Sequence, residues 1–374
     1  MVVPVPTVLR EEQIQVGDPN IFERIDAYSA PRLVEYFDTN PCQARVYRLE
    51  QAPSAAGAAD ESRESARARA QALGVTIEDA FTVGEYDILI LSAEESAGLE
   101  TWLTENDYRI PEGASEALAP YLAKGMKFFV AKVNLQAFEA SGVQKLRPLM
   151  MAFESDHFML PIQLGMVNAA GPQDLVAYLL SPHGRIDVSN YRTVKIPSNV
   201  NVPEFVADDF ADVYRALFRR SYQREGENVI FLEYAWDMSW CDPCAAEPLS
   251  LEELRQAGVF WLHDEDVWAP NVFLTRLHVR YTPEKFPEDL MFTVTDEREN
   301  FQGRYIMQRP FAGELDCEAG REYVESVRER QEHEAQVLAN LTGWDIDTVR
   351  SRMGIYDPLV SVRPWWERVF DSFR

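Results

Sequence analysis

A run of apolar positions meets a pair of cysteines at Val229–Cys244, V-I-F-L-E-Y-A-W-D-M-S-W-C-D-P-C. Val229, Ile230, Phe231, Leu232 and Tyr234 form a short, nearly continuous run rich in β-branched and aromatic side chains. Such a run predicts a buried strand. Gly226-Glu227-Asn228 supplies the turn before it.

The rest of the chain alternates between helical and strand-like spacing. Val2–Leu9 is apolar but carries Pro4 and Pro6, which restricts it to a sheet edge or a bulge. Asp18-Pro19 opens a helical stretch with Phe22, Ile25, Ala30, Leu33, Val34 and Phe37 on one face, and Pro31 divides it into two short helices. Val83–Leu91 reads as a strand. Ser92 and Glu95 have capping-box spacing for a helix over Ala93–Glu105, with Leu99, Trp102 and Leu103 inward and Asn106 as a left-handed stop. A second helix, Ser115–Ala123, leads to the strand Lys127–Leu135. Parallel pairing of those strands would make a right-handed crossover unit.

Leu146–Phe153, Phe158–Asn168 and Leu175–Leu180 read as short strands of an antiparallel series. Met150, Met151, Met159 and Met166 fall there as core filling. Pro203–Tyr222 is the clearest amphipathic helix, with Phe205, Phe210, Val213, Tyr214, Leu217, Phe218 and Tyr222 recurring on one side. Helices are also predicted over Ser250–Ala257, Ala319–Leu341 and Asp345–Met353. The inner stripe of Ala319–Leu341 carries Val324, Val327, Leu338 and Leu341. Val272–Tyr281 alternates, so Thr275, Leu277, Val279 and Tyr281 oppose Leu274, Arg276, His278 and Arg280. Leu290–Thr295 and Asn300–Gln308 are its expected partners. Ala52–Ala72 has no large apolar residue and predicts a flexible insertion. Trp365 and Trp366, beyond Pro358 and Pro364, suit a tail stapled to the core.

Together these elements predict an α+β protein with mixed, mostly antiparallel sheets and peripheral helices. Two lobes are expected, residues 1–190 with the insertion at 52–72 and residues 191–374, divided near Asp187–Pro203.

The 374 residues are 46% hydrophobic and 11% aromatic, enough for a large core, and carry a formal net charge of −25. Phosphate contacts need clustered Lys and Arg, so nucleic acid is excluded as a partner. Anionic membrane surfaces should repel the chain. No run approaches the about 18 apolar residues of a transmembrane helix. No basic segment followed by an apolar core marks a secretory signal. The sequence opens mid-strand at V-V-P-V-P, so the expectation is either a natural N-terminal portion removed ahead of Met1 or a misassigned start site.

Candidate chemistry centres on Cys241 and Cys244. A C-x-x-C pair serves as a redox dithiol, as half of a metal site or as a structural disulfide. W-C-D-P-C after an apolar strand looks like the thioredoxin active site, where a helix N-terminus lowers the thiolate pKa. Pro248 falls inside the first turns of the helix that chemistry needs. A structural role is therefore favoured. The alternative is a thiol–disulfide oxidoreductase with Cys241 as nucleophile and Cys244 as resolving thiol. Cys42 and Cys317 complete the set of disulfide candidates and belong to no second C-x-x-C, so zinc is not expected. The arrangement of cysteines tilts the reading towards an oxidising compartment.

His263-Asp264-Glu265-Asp266 reads as a solvated loop in preference to a metal site. Arg276, Arg280 and Arg304 form a possible anion-binding face able to grip a carboxylate, unless the protein's own acids pair with them. No Ser-His-Asp order, phosphate loop, dinucleotide fingerprint or H-E-x-x-H spacing is present. No catalytic residue, metal or cofactor is assigned.

Four segments in combination resemble a known family: E-Y-D-I-L-I-L-S-A-E-E-S-A-G-L-E-T-W-L at Glu85–Leu103, W-C-D-P-C at Trp240–Cys244, L-T-R-L-H-V-R-Y at Leu274–Tyr281 and F-Q-G-R-Y at Phe301–Tyr305. The chain resembles the uncharacterised bacterial proteins grouped as domain of unknown function 2330, over most of its length. Members typically carry a signal peptide and further cysteines ahead of the V-V-P-V-P region. The resemblance therefore implies an extracytoplasmic location, periplasmic or secreted, and supplies no mechanism. The resulting expectation is a non-catalytic binding or structural module with structural cysteines, whose partner is a protein or envelope component.

Overall fold

A computed structural model describes residues 1–42, 74–142, 145–240, 246–266, 270–315 and 317–353. The predicted insertion at 52–72, Cys241, Cys244 and the tail with Trp365 and Trp366 lie outside the described residues. The fold is α+β, with mixed but mostly antiparallel strand pairing and helices at the periphery. The chain forms two compact units: Met1–Ser29, Pro53–Thr193 and Ala235–Asn300 in one, Ala30–Ala52, Val194–Tyr234 and Phe301–Arg374 in the other. One crossing between them, at Thr193 and Val194, lies inside the Asp187–Pro203 stretch.

The first unit is built on a four-stranded antiparallel sheet in the order Val2–Val5, Lys127–Val133, Tyr86–Ala93, Val75–Val83. The proline-bearing strand lies at the edge, where a missing ladder donor costs least. Side chains leave alternate faces of a strand, and both faces of this sheet are covered. Leu91, Phe128 and Val130 meet Leu99, Trp102, Leu103, Leu118 and Tyr121 from the helices Ser96–Glu105 and Ala114–Ala123. Ile88, Ile90, Phe129 and Ala131 meet Val5, Leu9 and Ile14.

Several local expectations change here. The stretch at Val83–Leu91 is a hairpin, with Gly84 turning the chain at φ +56° between two strands. Glycine reaches that left-handed region without a Cβ penalty. The crossover unit is ruled out, because Tyr86–Ala93 and Lys127–Val133 pair antiparallel. The Ser92–Glu95 capping box does not form: Glu95 is the N-cap residue, and the Ser92 hydroxyl donates to Glu78 instead. The left-handed residue after that helix is Asp107, at φ 63°, with Asn106 at φ −101°.

Phe273–Tyr281 pairs residue for residue with Gln173–Ser181, antiparallel. Its expected partner Leu290–Val294 pairs with Ile186–Val188 and Met159–Leu160. The other expected partner, Arg304–Arg309, belongs to the second unit and pairs there. Buried Asp289 ties this region together. Its Oδ1 accepts from the Tyr121 hydroxyl at 2.7 Å and from the Ile162 backbone at 2.9 Å.

The second unit contains a parallel sheet, Val200–Val202, Arg304–Arg309 and Arg32–Phe37. Arg32–Phe37 falls where the second of the two short helices divided by Pro31 is predicted. The residues after Pro31 instead take a strand, which suits their β-branched and aromatic character (Val34, Tyr36, Phe37). Among the described residues, three helices pack in this unit: Val206–Arg224, Glu318–Thr342 and Ile346–Met353. Their core joins Val213, Leu217 and Phe218 to Phe231 and Tyr305, and to Ala335, Leu338 and Val349. Phe218 meets Phe231 edge-on, with ring centroids 5.1 Å apart. Val229–Asp237, predicted as a buried strand, is a strand whose first seven residues are buried.

Candidate functional site

Within the second unit a cleft of about 150 Å³ opens at the end of the parallel sheet, lined by Glu204, Phe205, Gln308, Gln331, Glu334 and Arg352 among others. Each lining residue has a structural reason to be there. Glu204 and Phe205 immediately precede the helix Val206–Arg224. Gln308 is near the end of the central strand Arg304–Arg309. Gln331 and Glu334 face the cleft from the long helix, and Arg352 and Met353 end the last described helix.

Asp38, just beyond the strand Arg32–Phe37, organises one side. It accepts from Gln308 at 2.5 Å, from the Tyr323 hydroxyl at 2.6 Å and from Arg330 at 2.8 Å. Burial alone would raise its pKa, but the hydrogen bonds from Arg330, Tyr323 and Gln308 outweigh burial and hold Asp38 below the usual carboxylate range. Burial and the bond to Asp38 push Tyr323 up to about 12.

Arg309 bridges two carboxylates, Glu204 at 2.9 Å and Glu35 on the neighbouring strand. Arg352 pairs with Asp209 and lies 4.1 Å from the centroid of the Phe205 ring. That stacking uses the face of the aromatic ring as an acceptor for the guanidinium.

Glu334 is the exception in this network. It is 3% exposed, and its Oε1 makes no hydrogen bond. Arg330, one turn earlier on the helix, brings Nε only to 3.6 Å. Burial pushes Glu334 up to about 7; Arg330 opposes the shift and the charges of Glu204 and Asp38 add to it. A buried carboxyl that titrates near neutrality beside a cleft is a functional-site candidate on physical grounds.

Cys42 and Cys317 are joined as a disulfide, with Cα atoms 6.0 Å apart and 275 positions apart in sequence. Cys42 follows Asp38 by one short turn of chain. Cys317 is the N-cap of the helix that carries Arg330 and Glu334, and its Sγ accepts from the Gly320 backbone at 3.2 Å.

Other residues singled out from sequence lie elsewhere. Arg276 and Arg280 sit on Phe273–Tyr281 in the first unit. Arg276 binds Asp26 at 2.6 Å and stacks 5.2 Å from the Tyr178 ring centroid. Arg280 binds Asp174 at 2.6 Å, and His278 approaches the same carboxylate at 3.2 Å. Arg304 belongs to the second unit and donates to Asn199 at 3.0 Å. In the acidic loop, Asp266 accepts from the His263 backbone and Asp264 pairs with Arg255. Among the described residues, no group of three or more His, Cys, Asp or Glu is placed to hold a metal ion.

Glu334 is absent from the residues assigned from sequence. It lies seven positions after Val327 and four before Leu338, which are both buried. An acid at a stripe position of an amphipathic helix is the signal that marks it.

A family model described as "Uncharacterized protein conserved in bacteria (DUF2330)" matches residues 1–293. Cys317, Arg330 and Glu334 lie beyond the matched residues. No curated protein and no solved structure matches the chain.

Proposed function

We propose, for a chain that belongs to the family of uncharacterised bacterial proteins DUF2330, a role as an extracytoplasmic, non-catalytic binding module whose cysteines are structural. The observation that carries this reading is the Cys42–Cys317 bridge, which closes a very long stretch of chain and sits at the start of the helix lining the cleft. Stable structural disulfides belong to oxidising compartments. The surplus of acid over base in the sequence suits a soluble surface. Among the described residues no helix is long and apolar enough to cross a membrane. The cleft supplies the binding element: an enclosed carboxyl, amides and an aromatic wall.

The test is the thiol state of the protein in bacterial cells. In a Cys241→Ser/Cys244→Ser background, acid quenching and alkylation with a maleimide-polymer should leave Cys42 and Cys317 unlabelled until reductant is added. The protein should fractionate outside the cytoplasm. Two freely labelled thiols in a cytoplasmic fraction would remove the reading. An oxidoreductase would instead show insulin reduction that Cys241→Ser abolishes.

A further inference from the structure

We propose that the cleft at Glu334 binds a small primary amine in its protonated form, with the ammonium group donating to the Glu334 carboxylate. The inference deepens the binding-module reading by naming a ligand class, and rests on it only for the idea that the cleft binds.

Glu334 lines the cleft, and its buried Oε1 makes no hydrogen bond. The nearest cation does not serve it. Arg330 directs Nη2 to Asp38 at 2.8 Å, and its Nε stays 3.6 Å from Glu334, itself without a hydrogen-bond partner. Burying a carboxylate without a hydrogen-bonded counter-charge is costly. A donor entering from the cleft relieves that cost.

Charge points to the sign of the ligand. The ion-paired groups around the cleft are Glu35, Asp38, Glu204, Asp209 and Glu334 against Arg309, Arg330 and Arg352. With Glu334 ionised, the carboxylates outnumber the guanidiniums and the site favours a cation.

Donor geometry separates an ammonium from a metal. A primary ammonium carries three N–H donors and no acceptor. The cleft offers the carboxylate of Glu334, that of Glu204, which it shares with Arg309, and the amide oxygens of Gln308 and Gln331. Hard divalent cations want six or more oxygens, with several carboxylates. Phe205 and Met353 provide apolar wall for a short alkyl arm. The volume of about 150 Å³ is below the about 300–1,000 Å³ of pockets for larger ligands, which limits the guest to a headgroup with a few carbons.

Linkage supplies a second readout. Glu334 titrates near 7 in the free protein, and a bound cation favours its ionised form. Binding at or below neutral pH must then release a proton.

The experiment is calorimetric titration of the full chain with n-propylammonium chloride at pH 7, in phosphate and in MOPS. Expected are a one-site isotherm and a buffer-dependent heat that reports proton release. Tetramethylammonium, which has the charge but no N–H donor, should bind at least tenfold more weakly, and calcium chloride should not compete. Glu334→Gln should weaken propylammonium at least tenfold and abolish proton release. If that variant does not fold, Glu204→Gln should weaken binding about threefold. Absence of binding at tens of millimolar, equal affinity for tetramethylammonium, or unchanged affinity in the folded variants would overturn the proposal. These outcomes read a carboxyl and leave the thiol state of Cys42 and Cys317 untouched, so either reading can fail alone.

Discussion

Arg147 holds the Glu85 carboxylate from two sides: its backbone N–H donates to Oε1 at 2.7 Å and its guanidinium to Oε2 at 2.8 and 3.0 Å. Glu85 is fully buried at the turn of the Val75–Ala93 hairpin. Burial alone would raise its pKa, but the Arg147 hydrogen bonds keep it below the ordinary 4.5. Arg147→Ala strands a buried carboxylate and should destabilise the protein by about 3–5 kcal/mol. A folded pKa below the unfolded one gives stability that is present above 4.5 and lost as pH falls through the folded value. Urea midpoints of wild type and variant should therefore converge in acid. Parallel midpoints down to the lowest folded pH would contradict this account.

The turn itself leaves no room for a side chain. A Cβ on Gly84 would stand 2.6 Å from Arg147 Nη2 and 3.1 Å from both methyls of Val16. The positive φ adds strain of its own. Gly84→Ala should cost about 1–3 kcal/mol through the backbone, and more if it displaces the Arg147 guanidinium. A double-mutant cycle between Gly84→Ala and Arg147→Ala measures the coupling. Strict additivity would show that the contact carries no energy.

The Cys42–Cys317 bridge closes a stretch of 275 positions. Constraining so long a loop in the unfolded chain puts its contribution at the upper end of the usual range, about 4–5 kcal/mol. In a Cys241→Ser/Cys244→Ser background, Cys42→Ser/Cys317→Ser should lower the melting temperature by several degrees, and reductant should then have no further effect. If reductant lowers the midpoint of that background no more than it lowers the variant's, the bridge does not stabilise the fold.

Much of the architecture was legible in the order of residues. Leu99, Trp102 and Leu103 are read as an inward stripe and are all buried. Ser250 and Glu253 form a full capping box at the helix Leu251–Gln256. The long helix predicted over Ala319–Leu341 forms as Glu318–Thr342. What failed was decided by partners distant in sequence. Arg32–Phe37 has apolar residues compatible with either period, and the parallel neighbour Arg304–Arg309 selects the strand. Ser92 has a cap-like spacing, yet Glu78 across the hairpin takes its hydroxyl. The cleft was hidden for a similar reason. Asp38, Glu204, Arg309 and Glu334 are ordinary charges in an acidic sequence until the fold gathers them. Only the acid in an apolar helical stripe left a local trace.

Arg276 offers a test of how the first unit tolerates charge in a strand. The residue is 7% exposed, while its partner Asp26 is half exposed and also accepts from the Tyr178 hydroxyl at 2.6 Å. Burial opposes ionisation of Asp26, and the bonds from Tyr178 and Arg276 override it, so its pKa lies below the ordinary value. Asp26→Asn keeps a hydrogen-bonding group but removes the charge. It should destabilise by about 1–2 kcal/mol at neutral pH. The loss should shrink in acid, where wild-type Asp26 becomes protonated. A pH-independent difference would assign the effect to packing alone.

Glu334 gives the opposite sign. Its folded pKa of about 7 lies above the ordinary 4.5 because burial penalises the charge. Between those values the folded protein holds a proton that the unfolded chain has released. Stability therefore falls as pH rises through this window, by up to about 3 kcal/mol from this group. Glu334→Gln places a neutral amide in the same space and removes the titration. The variant should match wild type near pH 4.5 and exceed its stability by about 2–3 kcal/mol at pH 8. Guanidinium unfolding at both pH values reads the difference directly, and the effects of all other titrating groups cancel between the two proteins. A stability difference that stays constant from pH 4.5 to 8 would mean that Glu334 is already ionised and satisfied in the folded protein. An ammonium ligand that favours the ionised carboxylate should close the gap at pH 8 by stabilising wild type alone.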